Sequence, residues 1–230
     1  VGGWPKWIVG AVLALIAAFV SLVYGLYWYG ASALPHELPR AQRSYPDEVR
    51  AIYWASLGGE GPMRVEPLDP LKLIWQVYSD TQEDRWPHPP PPEHQLLTST
   101  ARQIALEHAR ELRGARWHMA DIAAVIRLSN EQAPEQIADL TFDRAWMGRD
   151  AHGLDEAAPA YFGVPFEQTT QAERIALIAL MRGPSYFDPS RNPERFRKRY
   201  THVAQQFGIS TTSIDPDRDL ARLKPTATAR

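Results

Sequence analysis

Residues 134–200 read PEQIADLTFDRAWMG (134–148), RDAHGLDEAAPAYFG (149–163) and VPFEQTTQAERIALIALMRGPSYFDPSRNPERFRKRY (164–200). Pro134 suits a first helical turn, where its missing N–H would be unpaired in any case. Ile137, Leu140, Thr141 and Ala145 recur at helical spacing, and Gly148 is expected to end that helix with positive φ. A short helix is predicted over Asp155 to Phe162, closed by Gly163. Thr170 and Glu173 form a capping-box pair, in which two side chains satisfy unpaired backbone donors. The helix they open carries Ile175, Ala176, Ile178 and Ala179 and is apolar over much of its surface, so it belongs in a core. Gly183-Pro184 stops it.

Outward from this stretch, the chain has 230 residues, 25 basic against 27 acidic side chains, and no cysteine. Near-balanced charge gives no footprint for nucleic acid. The lack of cysteine excludes disulfides, thiolate metal sites and cysteine nucleophiles. Trp7 to Tyr29 is uncharged and long enough to cross a hydrocarbon core of about 30 Å as a helix. Trp4 and Trp7 flank one end, and Tyr24, Tyr27, Trp28 and Tyr29 the other, as interfacial rings do. A cleaved signal peptide is the rival reading, with Ala31-Ser32-Ala33 as its small residues. The apolar run is too long and too aromatic for one, so an uncleaved anchor over 1–30 is expected. Lys6 favours an N-terminus inside.

Residues 31–46 hold Pro35, Pro39 and Pro46 and read as an extended linker. Helical patterns follow from Asp47 (Val49, Ile52, Tyr53, Leu57) and from Asp69 to Tyr78 (Leu71, Ile74, Trp75, Tyr78), separated by Gly58-Gly59 and Gly61-Pro62. Residues 82–94 (QEDRWPHPPPPEH) suit open polyproline. His88 and His94 flank the prolines without a third ligand, so no metal is assigned there. Leu96 to Arg113 is expected to be a helix opened by Thr98, Ser99 and Thr100 as caps. Ala115 to Leu128 is expected to be a further helix, and residues 209–230 a disordered tail.

The 134–200 stretch resembles the family 51 glycosyltransferases, which polymerise peptidoglycan. The family wording is N-R-x-Y-F-G, then G-x-x-x-A-A-x-x-Y-F-G, L-T-x-A-E-x-A-L-L-A and P-S-x-Y-x-P-x-x-N-P-E. The chain matches it at Asp143-Arg144, Met147-Gly148, Gly153, Ala157-Ala158, Tyr161-Phe162-Gly163, Ala172-Glu173, Pro184-Ser185, Asp188-Pro189 and Arg191-Asn192-Pro193-Glu194. The resemblance covers about Val49 to Tyr200 and implies a mainly α, lysozyme-like domain over 47–208, tethered to one transmembrane helix. It also implies a lipid-linked disaccharide or peptidoglycan ligand at the periplasmic face of the bacterial inner membrane. Other cell-envelope proteins are further partners, nucleic acid is not, and the only cofactor implied is a divalent metal near the pyrophosphate.

The family's general base is the first Glu of E-D-x-x-F-x-x-H-x-G-x-D-P. Counting back from Asp69-Pro70 puts that position near Gly58, and Glu60 is the nearest carboxylate. Glu60 is therefore the catalytic candidate, against the plainer reading of a surface Glu. Thr98, Ser99, Gln103, Ile104 and Ala105 match the family's G-G-S-T-I-T-Q-Q-L-A-K motif, so the resemblance puts Thr98, Ser99 and Gln103 near donor phosphates. A plain capped helix is the alternative. Arg116 matches the Arg of R-K-x-x-E, where the Lys is replaced by Trp117 and the Glu by Ala120. Two functional expectations follow: a glycosyltransferase acting on lipid-linked disaccharide, or an inactive relative serving as scaffold or regulator in an envelope assembly. Loss of a general base alone costs about 10²–10⁴-fold in rate. A lytic enzyme on the same fold would need the same missing Glu.

Overall fold

The computed structural model describes residues 6–82 and 90–225. The protein is mainly helical. Its helices are α1 (Lys6–Ala31), α2 (Asp47–Ser56), α3 (Pro70–Gln82), α4 (Pro92–His108), α5 (Ala115–Glu131), α6 (Pro134–Arg144), α7 (Gly153–Phe162), α8 (Gln171–Met181), α9 (Pro193–Gln206) and the single turn α10 (Pro216–Asp219). Strands β1 (Trp146–Gly148) and β2 (Ala151–His152) form one antiparallel hairpin between α6 and α7.

The chain forms two compact units, each gathered from three stretches. The first takes the described parts of 1–38, 66–89 and 104–131; the second takes 39–65, 90–103 and the described part of 132–230. In the first unit, α1 is one helix long and apolar enough to cross a membrane, and little of it is buried. Its C-terminal end packs on α5, where a Cβ on Gly30 would sit 2.1 Å from the Met119 carbonyl oxygen. Arg127 of α5 donates to the carbonyls of Pro35 (2.7 Å) and His36 (2.7 Å).

The second unit holds the larger core. Helix α8 is its centre, with Ile175 to Leu180 all buried because they cover most of the helix surface. The expected capping box forms: Thr170 Oγ1 accepts from the Glu173 amide (3.3 Å), and Glu173 Oε2 accepts from the Thr170 amide (2.8 Å). Gly163 closes α7 at φ 75°, as expected. Arg50 of α2 makes a two-pronged contact with buried Asp139 of α6, Nε to Oδ1 at 2.9 Å and an Nη to Oδ2 at 2.7 Å.

Three expectations change. Helix α6 ends at Arg144 rather than at Gly148, because Ala145 turns extended and β1 pairs with β2. Residues 31–46 are not a free tether. Leu34, Leu38 and Tyr45 are buried, Gln132 holds the Pro39 carbonyl, and Asp139 and Asp143 accept from the Tyr45 and Gln42 amides. Residues 211–225 are not a disordered tail. Leu220 is buried, the Lys224 amide donates to the Tyr161 carbonyl (2.7 Å), and Arg222 pairs with buried Glu173. A few anchored contacts hold a segment whose polar composition suggests none. His88, Pro87 and Pro89 lie outside the described residues, while Pro92 begins α4.

Candidate functional site

In the second unit, α2, α4, α8 and α9 meet at the C-terminal end of α2. Helix ends leave carbonyls unpaired, and a left-handed residue just beyond the end lets following amides turn back to them. Gly58 takes that position at φ 86°. Its amide donates to the Ala55 carbonyl (2.8 Å), and that of Gly59 to the Trp54 carbonyl (2.9 Å). Gly59 lies against the Trp54 indole, where a Cβ would come within 2.3 Å of the ring.

Both glycines at the expected base position are thus required by local geometry. A carboxylate at 58 would strain the backbone, and one at 59 would displace a buried indole. Glu60 stands in the open beyond them, its carbonyl facing Trp54 Nε1 at 3.5 Å.

The remaining carbonyls of this helix end meet basic and amide groups. Gln95 Nε2 donates to the Leu57 carbonyl (3.1 Å), and Arg182 donates to Gln95 Oε1 (3.3 Å). Arg199 approaches the Ser56 carbonyl at 3.4 Å, while its Nε is buried without a hydrogen-bond partner. Burial first, and then the neighbouring Arg182 charge, lower the Arg199 guanidinium to about 10. The same two kinds of cause, burial followed by the charges of Arg199 and Arg182, push the His202 imidazole below its ordinary range. This end of the unit is electropositive and holds no ion-paired carboxylate on Arg182 or Arg199 among the described residues.

Helix α4 begins at Pro92, so Thr98, Ser99 and Thr100 are interior residues and not caps. Their hydroxyls donate back to the carbonyls of His94 (2.6 Å), Leu96 (2.9 Å) and Leu96 (3.0 Å). The amides at 98–100 are therefore not those of a helix start. Ser99 instead reaches Tyr53 Oη (3.2 Å), and Thr100 reaches Thr141 Oγ1 (2.6 Å), tying α2, α4 and α6 together. Gln103 keeps its Oε1 buried without a partner. Arg116 belongs to the first unit, with its guanidinium 5.2 Å from the Tyr29 ring centre and its Nε buried without a partner. It borders a cavity of about 390 Å³ with Ala33, His108 and Leu112.

The second unit thus gathers Glu60, Thr98, Ser99 and Gln103 on α4 and the loop after α2, and Arg116 stands in the other unit. Among the described residues no three His, Asp or Glu side chains gather. Tyr53 and Thr141, which the sequence marks only as helical-face residues, and Arg182, Arg199 and His202, which no motif marks, also belong to this region. Basic residues at 195, 198, 199 and 202, spaced as one helical stripe, were the available signal for the last two.

Residues 96–208 match the family model described as Transglycosylase. Penicillin-binding protein 1A of Mycobacterium tuberculosis is 30% identical over 105 residues, covering 46% of this chain and 13% of the relative. A putative transglycosylase of Cupriavidus necator is 32% identical over 80 residues, 35% of each chain. Penicillin-binding protein 1A of Rickettsia prowazekii is 26% identical over 85% of this chain and 28% of its own length. The matched part is thus 13% to 35% of the length of these relatives.

Proposed function

Because the chain belongs, through residues 96–208, to the glycosyltransferase family 51 transglycosylases, as a distant homologue of the corresponding domains of penicillin-binding protein 1A, we propose that it binds lipid-linked disaccharide at the periplasmic membrane face without polymerising it. Helix α1 is its anchor, and its role is that of a scaffold or regulator in an envelope assembly.

One observation supports this reading: the end of α2 is closed by Gly58 and Gly59, near the position that counting back from Asp69-Pro70 gives the family's general base. In the resembled reaction that base takes the proton from the acceptor sugar hydroxyl as its oxygen attacks the anomeric carbon of the donor. A base must lie within hydrogen-bond reach of the proton it removes. Gly58 offers no such group, and Glu60 is exposed two residues further on. Arg182 and Arg199 remain at this helix end as positive groups suited to an anionic ligand.

The experiment is a polymerisation assay on the full chain in detergent with lipid-linked disaccharide, run beside a binding measurement on the same ligand. Binding without glycan polymer is the expected result. Polymer made by the wild type and lost in Glu60→Gln would overturn the inactive reading and make Glu60 the base. Absence of both binding and polymer would overturn the ligand class.

A further inference from the structure

Helix α9 carries Arg195, Lys198, Arg199 and His202 at positions i, i+3, i+4 and i+7, so four basic groups share one stripe. The stripe that faces the core is separate: Phe196, Tyr200, Val203 and Ala204. Like charges at these spacings oppose one another on a helix. The helix holds one acid, Glu194, in its first turn, where it serves the positive helix end. Arg197, the other cation of α9, is already paired with Asp217. No carboxylate pairs with Arg195, Lys198 or Arg199 among the described residues, and Arg182 of the preceding helix end adds to the same positive field.

These groups surround a real hollow. Tyr186, Phe187, Arg195, Lys198, Arg199 and His202 line a cavity of about 500 Å³. The Arg195 guanidinium stands 4.4 Å over the Tyr186 ring, which orients it without neutralising it. Tyr186 and Phe187 meet edge to face, their centres 4.9 Å apart, and supply an apolar wall. The Arg199 Nε is buried and lacks a hydrogen-bond partner.

We propose that this cavity binds a phosphate-bearing ligand, held by Arg195, Lys198 and Arg199 and bordered by Tyr186 and Phe187. A phosphate group presents several acceptor oxygens and up to two charges, which suits multiple charge-assisted donors better than a single carboxylate does. The site uses none of Thr98, Ser99, Gln103 and Arg116. It shares Arg199 with the α2 end and to that extent rests on the reading above, while Arg195 and Lys198 lie outside that reading.

The test uses the full chain in neutral detergent, titrated with inorganic pyrophosphate by calorimetry and by the imidazole resonances of His202. The expected result is saturable binding, with the His202 midpoint moving up as the anion offsets the Arg182, Arg195, Lys198 and Arg199 charges around it. Arg195→Glu combined with Lys198→Glu, both at exposed positions, should weaken pyrophosphate binding at least tenfold and leave the thermal unfolding midpoint unchanged. Arg195→Lys with Lys198→Arg should restore it. No saturable binding, or equal binding by the charge-reversed chain, overturns the proposal. Two competitors then identify the source. Displacement by phosphatidylglycerol vesicles, but not by phosphatidylcholine ones, assigns a lipid headgroup. Displacement by a polyprenyl diphosphosugar in neutral micelles assigns a donor phosphate. Displacement by neither assigns a small soluble phosphate compound.

Discussion

Arg149 and Asp150 join β1 to β2 with φ of 53° and 56°, a turn that normally takes Asn-Gly. The strain at Arg149 is compensated by its side chain, which stacks 4.0 Å over Tyr161, donates to the carbonyls of Lys224 (2.9 Å) and Ala160 (3.2 Å), and lies 3.5 Å from the Asp188 carboxylate. Asp150 lacks that reason to be there. Asp150→Gly should therefore stabilise the protein by about 1 kcal/mol in denaturant unfolding, whereas Arg149→Gly should destabilise it despite relieving the same strain. Asp139→Asn leaves the buried Arg50 guanidinium with only the exposed Asp47 carboxylate and should cost about 3 kcal/mol, the scale for one side of a buried pair. His202 gives a pH dependence. Its folded pKa lies below the ordinary value of about 6.5, so the unfolded chain binds more protons in the window between the two. Its contribution is present above about pH 6.5 and is lost as pH falls through the lowered folded value. Thermal unfolding between pH 7 and 5 checks this, and His202→Gln should flatten the decline.

At the level of elements, helices with chemical punctuation were readable in advance. Thr170 with Glu173, Gly163 and Pro134 each mark a boundary through their own backbone requirements, and each boundary is where those requirements place it. Boundaries decided by distant partners were not readable. Thr98 to Thr100 look like caps, yet Pro92 starts the helix earlier, and the Ser99 and Thr100 hydroxyls reach Tyr53 and Thr141 instead. Residues 211–225 have the composition of a loose end, but Glu173, Tyr161 and Leu220 decide otherwise, and none of those pairings has a local pattern. The glycine closure of α2 was legible as a missing carboxylate, and its cause, the Trp54 ring beneath Gly59, was not. Within the first unit, α1 lies close against α5 at Gly30. Gly30→Leu should separate the two helices locally and raise amide hydrogen exchange in α5 around Met119, while leaving exchange in α8 unaltered.

Across the whole molecule, the apolar α1 shares a unit with α3, whose Ile74, Trp75, Val77 and Tyr78 are all exposed. Such a patch beside a candidate membrane span suits an interfacial position. Removal of residues 1–30 should leave partial, salt-resistant binding to vesicles, and Ile74→Ser with Trp75→Ser in that shortened chain should abolish it in a flotation assay. The two units are also threaded through one another in sequence, since the chain passes between them five times on the way from 38/39 to 131/132. During synthesis, then, α2 and the start of α4 emerge well before α6 to α9, the helices that cover them. Val49, Ile52 and Leu96 lack these partners for the time needed to translate the roughly hundred codons from α4 to the end of α9, about 5–20 s at ordinary rates. That interval is when a ribosome-associated chaperone would have its longest hold on this protein.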